Sequence, residues 1–449
     1  MKTDPLYGFQ NTAATRIARS EQVYLGFDPG LGKSRTALQG ARLRGATRIL
    51  VVCHASGRYV WEEQVRLWTD YTPIIVRNLH DLKGKGVFIL TYGLVSQSGS
   101  PFVAAISGKG VNFDMTILDE AAALKSPSSN RTKGILEKML PNLGYVVPLS
   151  GTPAPNHAGE LYSILRALYP KSLIDGSGKA LTRWEFEDRY CKVVLKKFGQ
   201  GNPIRVIEGS RNLDELKVRI APFMMRVRKE AVLKDLPSVR YDVVPIGVDS
   251  NAAKQLPTIP GQDNDDTLLA FLNGKLGDEH VMRLRRMLGL LKVNPALEYL
   301  DDFLEGLPAN RKILVFAHHR EVVESLMQGL GDYSPVKIDG GSSFAERTRA
   351  VDTFLTRSQC RVFVGNIQAA GTGLTLVGPQ CRCSDVFFVE ASYAVGDNVQ
   401  AAARVHRIGQ SDAVVARFLT AHGTIDDRIQ AILARKAKDF SQLFDGATA

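Results

Sequence analysis

At 449 residues the chain is too long for one ordinary domain and has ample length for two or three, each with its own core. A hydrophobic fraction of 44% and a charged fraction of 23% are those of a globular protein. No apolar run is long enough to span a bilayer and no signal-peptide core follows Met1, which argues against a membrane partner and for an intracellular, cytoplasmic protein. A net charge of +11 favours a polyanionic partner such as nucleic acid, the alternative being a solvated basic surface. The five cysteines are scattered, and Cys381-Arg382-Cys383 lacks the C-x-x-C spacing of a metal site, so reduced thiols are expected.

In chain order, Leu6 to Gln22 reads as a short helical segment carrying Gln10. The apolar run Val23 to Phe27 then enters the Gly-rich stretch D-P-G-L-G-K-S, followed by helix-compatible residues. That is the layout of a phosphate-binding loop: Gly30 and Gly32 free backbone N–H groups to wrap phosphates, Lys33 reaches the β- and γ-phosphates, and the Ser34 hydroxyl helps hold Mg²⁺. Phe27 stands where the strict pattern has its first glycine, so the loop alone leaves an ordinary turn equally open.

Arg48 to Cys53, Val87 to Thr91, Met115 to Leu118 and Tyr145 to Leu149 are β-branched apolar runs fit for buried parallel strands, with a helical stretch at Tyr59 to Trp68. Strands alternating with helices predict an α/β domain whose ligands sit beyond the carboxyl ends of the strands. After Met115 to Leu118 come Asp119 and Glu120, which in an NTPase would hold Mg²⁺ and orient the attacking water; a helix-capping acid pair is the plainer alternative. After Tyr145 to Leu149 comes Ser150-Gly151-Thr152-Pro153, readable in isolation as a simple turn.

Residues 170 to 300 differ in texture, with a Pro- and acid-rich linker between Leu256 and Asp266 and an amphipathic helix, Val281 to Lys292, carrying Arg283, Arg285 and Arg286 on a DNA-facing or solvated face. A second α/β pattern follows. Ile313 to Phe316 ends in His318 and His319, Val336 to Ile338 in Asp339-Gly340-Gly341, Arg361 to Gly365 leads to A-A-G-T-G-L-T-L, and Val386 to Val389 ends in Glu390. Adjacent histidines on a strand point to opposite faces, which argues against a shared metal ion.

Taken together these strand ends resemble the motif series of superfamily 2 helicases, and in particular the Swi/Snf-type DNA translocases. The resemblance rests on G-L-G-K-S, V-V-C-H-A-S with W-E-E-Q-V-R-L-W, I-L-T-Y-G-L, D-E-A-A followed by L-K-S-P-S-S-N-R-T-K, and L-S-G-T-P-A followed by E-L-Y-S-I-L-R-A-L-Y-P. It continues through F-M-M-R-V-R-K-E-A-V-L-K-D-L-P, K-I-L-V-F-A-H-H, I-D-G-G-S-S, A-A-G-T-G-L-T-L and Q-A-A-A-R-V-H-R-I-G-Q. That family also lacks the glycine at the Phe27 position, and the wording is nearest its annealing-helicase and fork-remodelling branch. The resemblance implies two RecA-like P-loop lobes with mostly parallel sheets, at 1–168 and 301–449, joined by a mainly helical insertion and linker at 169–300.

The same resemblance implies a monomeric, ATP- and Mg²⁺-dependent translocase on duplex or branched DNA, with strand-separating DNA or RNA helicases and a hydrolysis-deficient scaffold as rivals. Its site would comprise Lys33, Asp119, Glu120, Arg404 and Arg407 as catalytic groups. Gln10, Gly30, Leu31, Gly32, Lys33, Ser34, Gly373 and Gln400 would bind nucleotide, with Ser34 and Asp119 on the metal. Ser150 and Thr152 would couple hydrolysis to motion, and Ala55, Ser56, Thr91, His318, Thr372 and Gly373 would meet nucleic acid. Ala122 in place of the DEAH histidine, Ala403 in place of an acid and Tyr393-Ala394-Val395 in place of Trp-Asn-Pro are departures that bear on coupling. The motor filling the chain suggests a minimal bacterial or viral version.

Overall fold

The computed structural model describes residues 5–108, 110–196, 203–232, 239–257, 268, 278–370, 374–378, 381–407, 410–430 and 432–433. The chain divides into two compact units, the described residues of the first running to Val232 and those of the second following.

The first unit contains β1 (Tyr24–Phe27), β2 (Arg48–Cys53), β3 (Pro73–Ile75), β4 (Gly86–Thr91), β5 (Met115–Leu118), β6 (Tyr145–Pro148), β7 (Cys191–Lys196), β8 (Ile204–Ser210) and β9 (Met224–Val227). Strands β3-β4-β2-β5-β6 form one sheet in that order, every neighbouring pair parallel. Ile49 to Cys53 and Val87 to Leu90 have no exposed surface, as expected when helices cover both faces of a parallel sheet. The edge beyond β6 is continued by β1 through a parallel bridge between Leu25 and Leu149, and β1 in turn pairs in parallel with β9, Tyr24 opposite Met224 and Phe27 opposite Val227. Because the strands are parallel, the chain leaves β1, β2, β4, β5 and β6 at one common edge, where Asp28, His54, Tyr92, Asp119 and Leu149 emerge.

The second unit contains β10 (Val239–Ile246), β11 (Arg311–Ala317), β12 (Val336–Ile338), β13 (Val362–Asn366), β14 (Arg382–Phe388) and β15 (Val414–Ala421), in the order β10-β15-β14-β11-β13-β12 and again all parallel. Its central strands bury Leu314, Phe316, Val386 and Phe388 completely.

The stretch 169–300 carries the helices Arg183–Tyr190, Leu213–Ile220, Ser250–Lys254 and Asp278–Leu291. It also holds the antiparallel pair β7 and β8, and it lends β9 to the first sheet and β10 to the second. All five cysteines are free and buried. Among the described residues there is no group of three or more His, Cys, Asp and Glu placed to hold a metal, and no helix long and apolar enough to cross a membrane.

Candidate functional site

β1 delivers the chain into a turn whose glycines take backbone angles closed to most side chains, φ 93° at Gly30 and φ 75° at Gly32. A Cβ at Gly32 would stand 2.5 Å from the Gln10 amide nitrogen, so the turn and the helix Gly8–Ala18 meet without room for one. Gln10 is buried there, donating from Nε2 to the Leu31 carbonyl at 3.0 Å and accepting from the Tyr7 N–H at 3.1 Å. Helix Lys33–Leu43 follows, with Lys33 and Ser34 in its first turn, where unpaired N–H groups and the helix dipole favour an anion. The Lys33 ammonium donates to the carbonyls of Phe27 at 2.9 Å and Asp28 at 3.5 Å. Burial pulls its pKa down, against the opposing charges of Glu120, Asp119 and Asp28.

The acid pair stands at the end of β5. Asp119 accepts a hydrogen bond from Trp61 Nε1 at 2.8 Å and from the Glu120 N–H at 3.1 Å, while its own carbonyl accepts from the Tyr92 hydroxyl at 2.9 Å. Burial and then the charge of Glu120 push the Asp119 carboxyl up to about 6, with Trp61 and Lys33 pulling the other way. Two neighbouring half-buried carboxylates at one strand end suit a divalent cation, for which Asp119 and the Ser34 hydroxyl are the fitting oxygen donors.

Glu120 lies in the left-handed region, at φ 47° and ψ 56°. The Ser150 hydroxyl donates to its Oε2 at 3.3 Å and accepts the Thr152 N–H at 3.1 Å. A Cβ at Gly151 would come within 2.9 Å of the Pro29 ring, so the turn after β6 is pressed directly against the Pro29–Gly32 turn. With alanine at 122, the Ser150–Glu120 contact is a direct link between the acid pair and this turn.

Two residues at this edge belong to strings that carry the resemblance, W-E-E-Q-V-R-L-W and F-M-M-R-V-R-K-E-A-V-L-K-D-L-P, but their part in the site shows only in three dimensions. Trp61 sits on the helix Arg58–Trp68 and anchors Asp119 from a position that periodicity marks only as core. Arg226, 8% exposed on β9, donates to the Gly26 carbonyl at 2.7 Å and to the Gly151 carbonyl at 3.5 Å, and pairs with Asp28 at 2.7 Å. The Lys229 N–H donates to the other Asp28 oxygen at 3.0 Å.

In the second unit Arg404 and Arg407 converge on one carbonyl, that of Leu374, at 3.0 and 2.9 Å. Arg404 also donates to the Gln400 carbonyl, and Arg407 to the Thr375 hydroxyl. Burial draws the Arg407 pKa down to about 10. Gln410 donates to the carbonyls of Cys383 on β14 and of Val405, next to Arg404.

At the end of β11, the backbone N–H groups of His318 and His319 both donate to Glu390 Oε2 at 2.9 Å, and His319 Nδ1 lies 2.6 Å from Glu390 Oε1. Burial, then the charges of Arg285 and His319, hold the His318 imidazole down near a pKa of about 4. Arg285 stacks 4.2 Å from the Tyr393 ring centroid, Arg286 pairs with Glu321, and Arg283 is exposed. Among the remaining residues expected to meet nucleic acid, Ala55 and Ser56 fall in the turn Ala55–Gly57. Thr91 is 7% exposed, and its hydroxyl accepts the Leu94 N–H as a helix cap. Thr372 and Gly373 lie outside the described residues.

The first unit thus gathers Gln10, Gly30, Gly32, Lys33, Asp119, Glu120, Ser150 and Thr152 at one sheet edge, and in the second Arg404 and Arg407 meet at the Leu374 carbonyl, with Gln400 bonded to Arg404.

Comparison with known proteins gives this geometry a family. Residues 25–259 match the SNF2-related domain and residues 295–409 the helicase conserved C-terminal domain. Similar curated proteins include the "DNA annealing helicase and endonuclease ZRANB3" of Homo sapiens, 28% identical over 96% of this chain and 39% of that protein. The "SWI/SNF-related matrix-associated actin-dependent regulator of chromatin subfamily A-like protein 1" of Xenopus tropicalis is 30% identical over 95% of this chain and 43% of its own. The chain therefore spans about two fifths of the length of these relatives. Both are animal proteins, which lends no support to a bacterial or viral origin. A solved "Sulfolobus solfataricus SWI2/SNF2 ATPase core in complex with dsDNA" covers 99% of this chain and 94% of its own at 20% identity and a TM-score of 0.44. With over half of its length matched by the first domain model, the chain belongs to the SNF2-related family.

Proposed function

We propose that the chain is the motor of an ATP-driven translocase on duplex or branched DNA, acting in strand annealing or fork remodelling. The observation that carries this reading is the meeting of three loops at one sheet edge: the Gly30–Ser34 turn, the Asp119–Glu120 pair and the Ser150–Thr152 turn bonded to it. Backbone N–H groups of Gly30, Leu31 and Gly32 and the Lys33 ammonium would hold the triphosphate, with Gln10, Gln400 and Gly373 completing the nucleotide's surroundings. Ser34 and Asp119 would hold Mg²⁺, which when bound neutralises charge on the phosphates. Glu120 would orient the attacking water, and Ser150 would pass the state of Glu120 to the Thr152 turn. Arg404 and Arg407 would neutralise developing charge on the transferred phosphoryl group, a contribution worth roughly 10³ to 10⁵ in rate in other NTPases. His318, Thr91, Ala55, Ser56, Thr372 and Gly373 would meet the DNA backbone without reading sequence, giving binding that weakens steeply with salt. Names of relatives that include annealing helicases support this choice of output.

The test is an ATPase panel with duplex, forked and single-stranded DNA and with RNA, run on the protein and on Lys33→Ala. Stimulation by duplex or forked DNA that Lys33→Ala abolishes is the expected result. A requirement for single strands or RNA would replace it with a strand-separating helicase, and no nucleic-acid-stimulated turnover would leave a nucleotide-gated scaffold.

A further inference from the structure

The geometry points to Arg226, with the Lys229 N–H, as a positioning clasp through which the segment leaving the first unit sets the conformation of the nucleotide loop; this inference rests on the ATPase reading above.

Three observations carry it. Arg226 is a cation at 8% exposure whose guanidinium spans three separate pieces of the site edge: the Gly26 carbonyl of β1, the Asp28 carboxylate of the loop turn, and the Gly151 carbonyl between Ser150 and Thr152. Asp28 receives both of its oxygens' partners from this one segment, Arg226 on Oδ1 at 2.7 Å and the Lys229 N–H on Oδ2 at 3.0 Å, while its own N–H donates to the Val227 carbonyl at 2.9 Å. The segment also closes the described part of its unit: β9 closes at Val227, the helix Lys229–Val232 follows, and the chain then passes to the second unit. Lys33 donates to the carbonyls of Phe27 and Asp28, so the loop peptides that the clasp fixes are those the phosphate-binding lysine rests on.

A buried ion pair serves poorly as a simple stabiliser, because desolvation offsets most of its attraction, but it fixes geometry well. Here the fixed geometry joins the nucleotide loop, the Ser150–Thr152 turn and the outgoing chain. Linkage then makes the effect reciprocal: if the clasp favours the nucleotide-binding form of the loop, bound nucleotide must favour the clasped form of residues 226–232 by the same factor. Arg226 touches neither substrate nor metal on this account and acts through Asp28.

The test uses the full chain with the non-hydrolysable probe adenylyl imidodiphosphate and Mg²⁺. Hydrogen exchange at residues 226–232 is followed with and without the probe, and probe affinity is measured for the protein, Asp28→Asn, Arg226→Lys and the double variant. Expected are slower exchange at 226–232 on probe binding, affinity weakened about tenfold in each single variant, within the 5- to 150-fold range of couplings between sites, and a double variant no weaker than the worse single one. Arg226→Lys keeps the buried charge, and variants are compared only where thermal melting shows a folded state, with the charge-free pair Asp28→Asn/Arg226→Gln as the second route. Probe binding that leaves exchange at 226–232 unchanged, or single-variant losses that simply add, overturns the clasp while leaving the ATPase reading standing. Absence of any probe binding by the unmodified protein overturns both.

Discussion

Replacing Ser150 with alanine separates the structural and the chemical roles of the turn after β6. The hydroxyl makes two contacts, accepting the Thr152 N–H at 3.1 Å and donating to Glu120 at 3.3 Å. Thr152 is 4% exposed, so its orphaned N–H would cost about 1–3 kcal/mol of stability. The bond to Glu120 is long for one made to a charged group, which places it at about 1.5 kcal/mol, the low end for such bonds. If that bond is at full strength only as water attacks, its loss lowers turnover about tenfold. Lys33 and its carbonyl partners are untouched by the change, so KM for ATP should move by less than about threefold. Urea unfolding and DNA-stimulated ATPase on the same preparation check both parts. Lost stability with unchanged turnover would make Ser150 a purely structural residue, and a risen KM at constant turnover would place it in nucleotide binding.

Two other predictions concern the second unit. Lys292 and Asp426 form a nearly fully buried pair at 2.8 Å, so Lys292→Met or Asp426→Asn alone should destabilise by about 3–5 kcal/mol, and Lys292→Met with Asp426→Leu should recover most of that loss in chemical denaturation. Burial holds the folded His318 imidazole down to about 4, below its ordinary value of 6.5, so between those values the unfolded chain binds the extra proton and stability falls as pH falls. His318→Asn should therefore flatten stability between about pH 6.5 and 4 relative to the unmodified protein, read as the difference between their urea midpoints; parallel curves would show that His318 titrates normally.

Much of the first unit was legible because its strands are uninterrupted apolar runs and its loops follow them directly. Ile49 to Cys53 can be little other than a buried strand, and once β5 is placed, Asp119 and Glu120 must emerge at its carboxyl end. What stayed hidden depends on partners far away in sequence. β9 is four residues, Met-Met-Arg-Val, with one β-branched member, and it becomes a strand only because β1 lies beside it some two hundred residues back. Arg226 looks like any basic residue of a charged segment until its partners on β1 and after β6 are known. Trp61 opens the quoted string W-E-E-Q-V-R-L-W, but the partner of its indole N–H, Asp119, lies 58 residues on and shows only in the structure. Glu390 is visible as a strand end, yet its bonds to two successive N–H groups after β11 follow from the neighbouring placement of β11 and β14.

Glu120 holds a left-handed backbone conformation that costs a side-chain-bearing residue about 1–3 kcal/mol and costs glycine almost nothing. A protein selected only for heat resistance would therefore drift at this position toward Glu120→Gly, gaining melting temperature as it loses the carboxylate. The site edge is a place where durability and the proposed turnover pull in opposite directions, and thermostability screens of this chain need an activity readout to avoid enriching well-folded, inert variants.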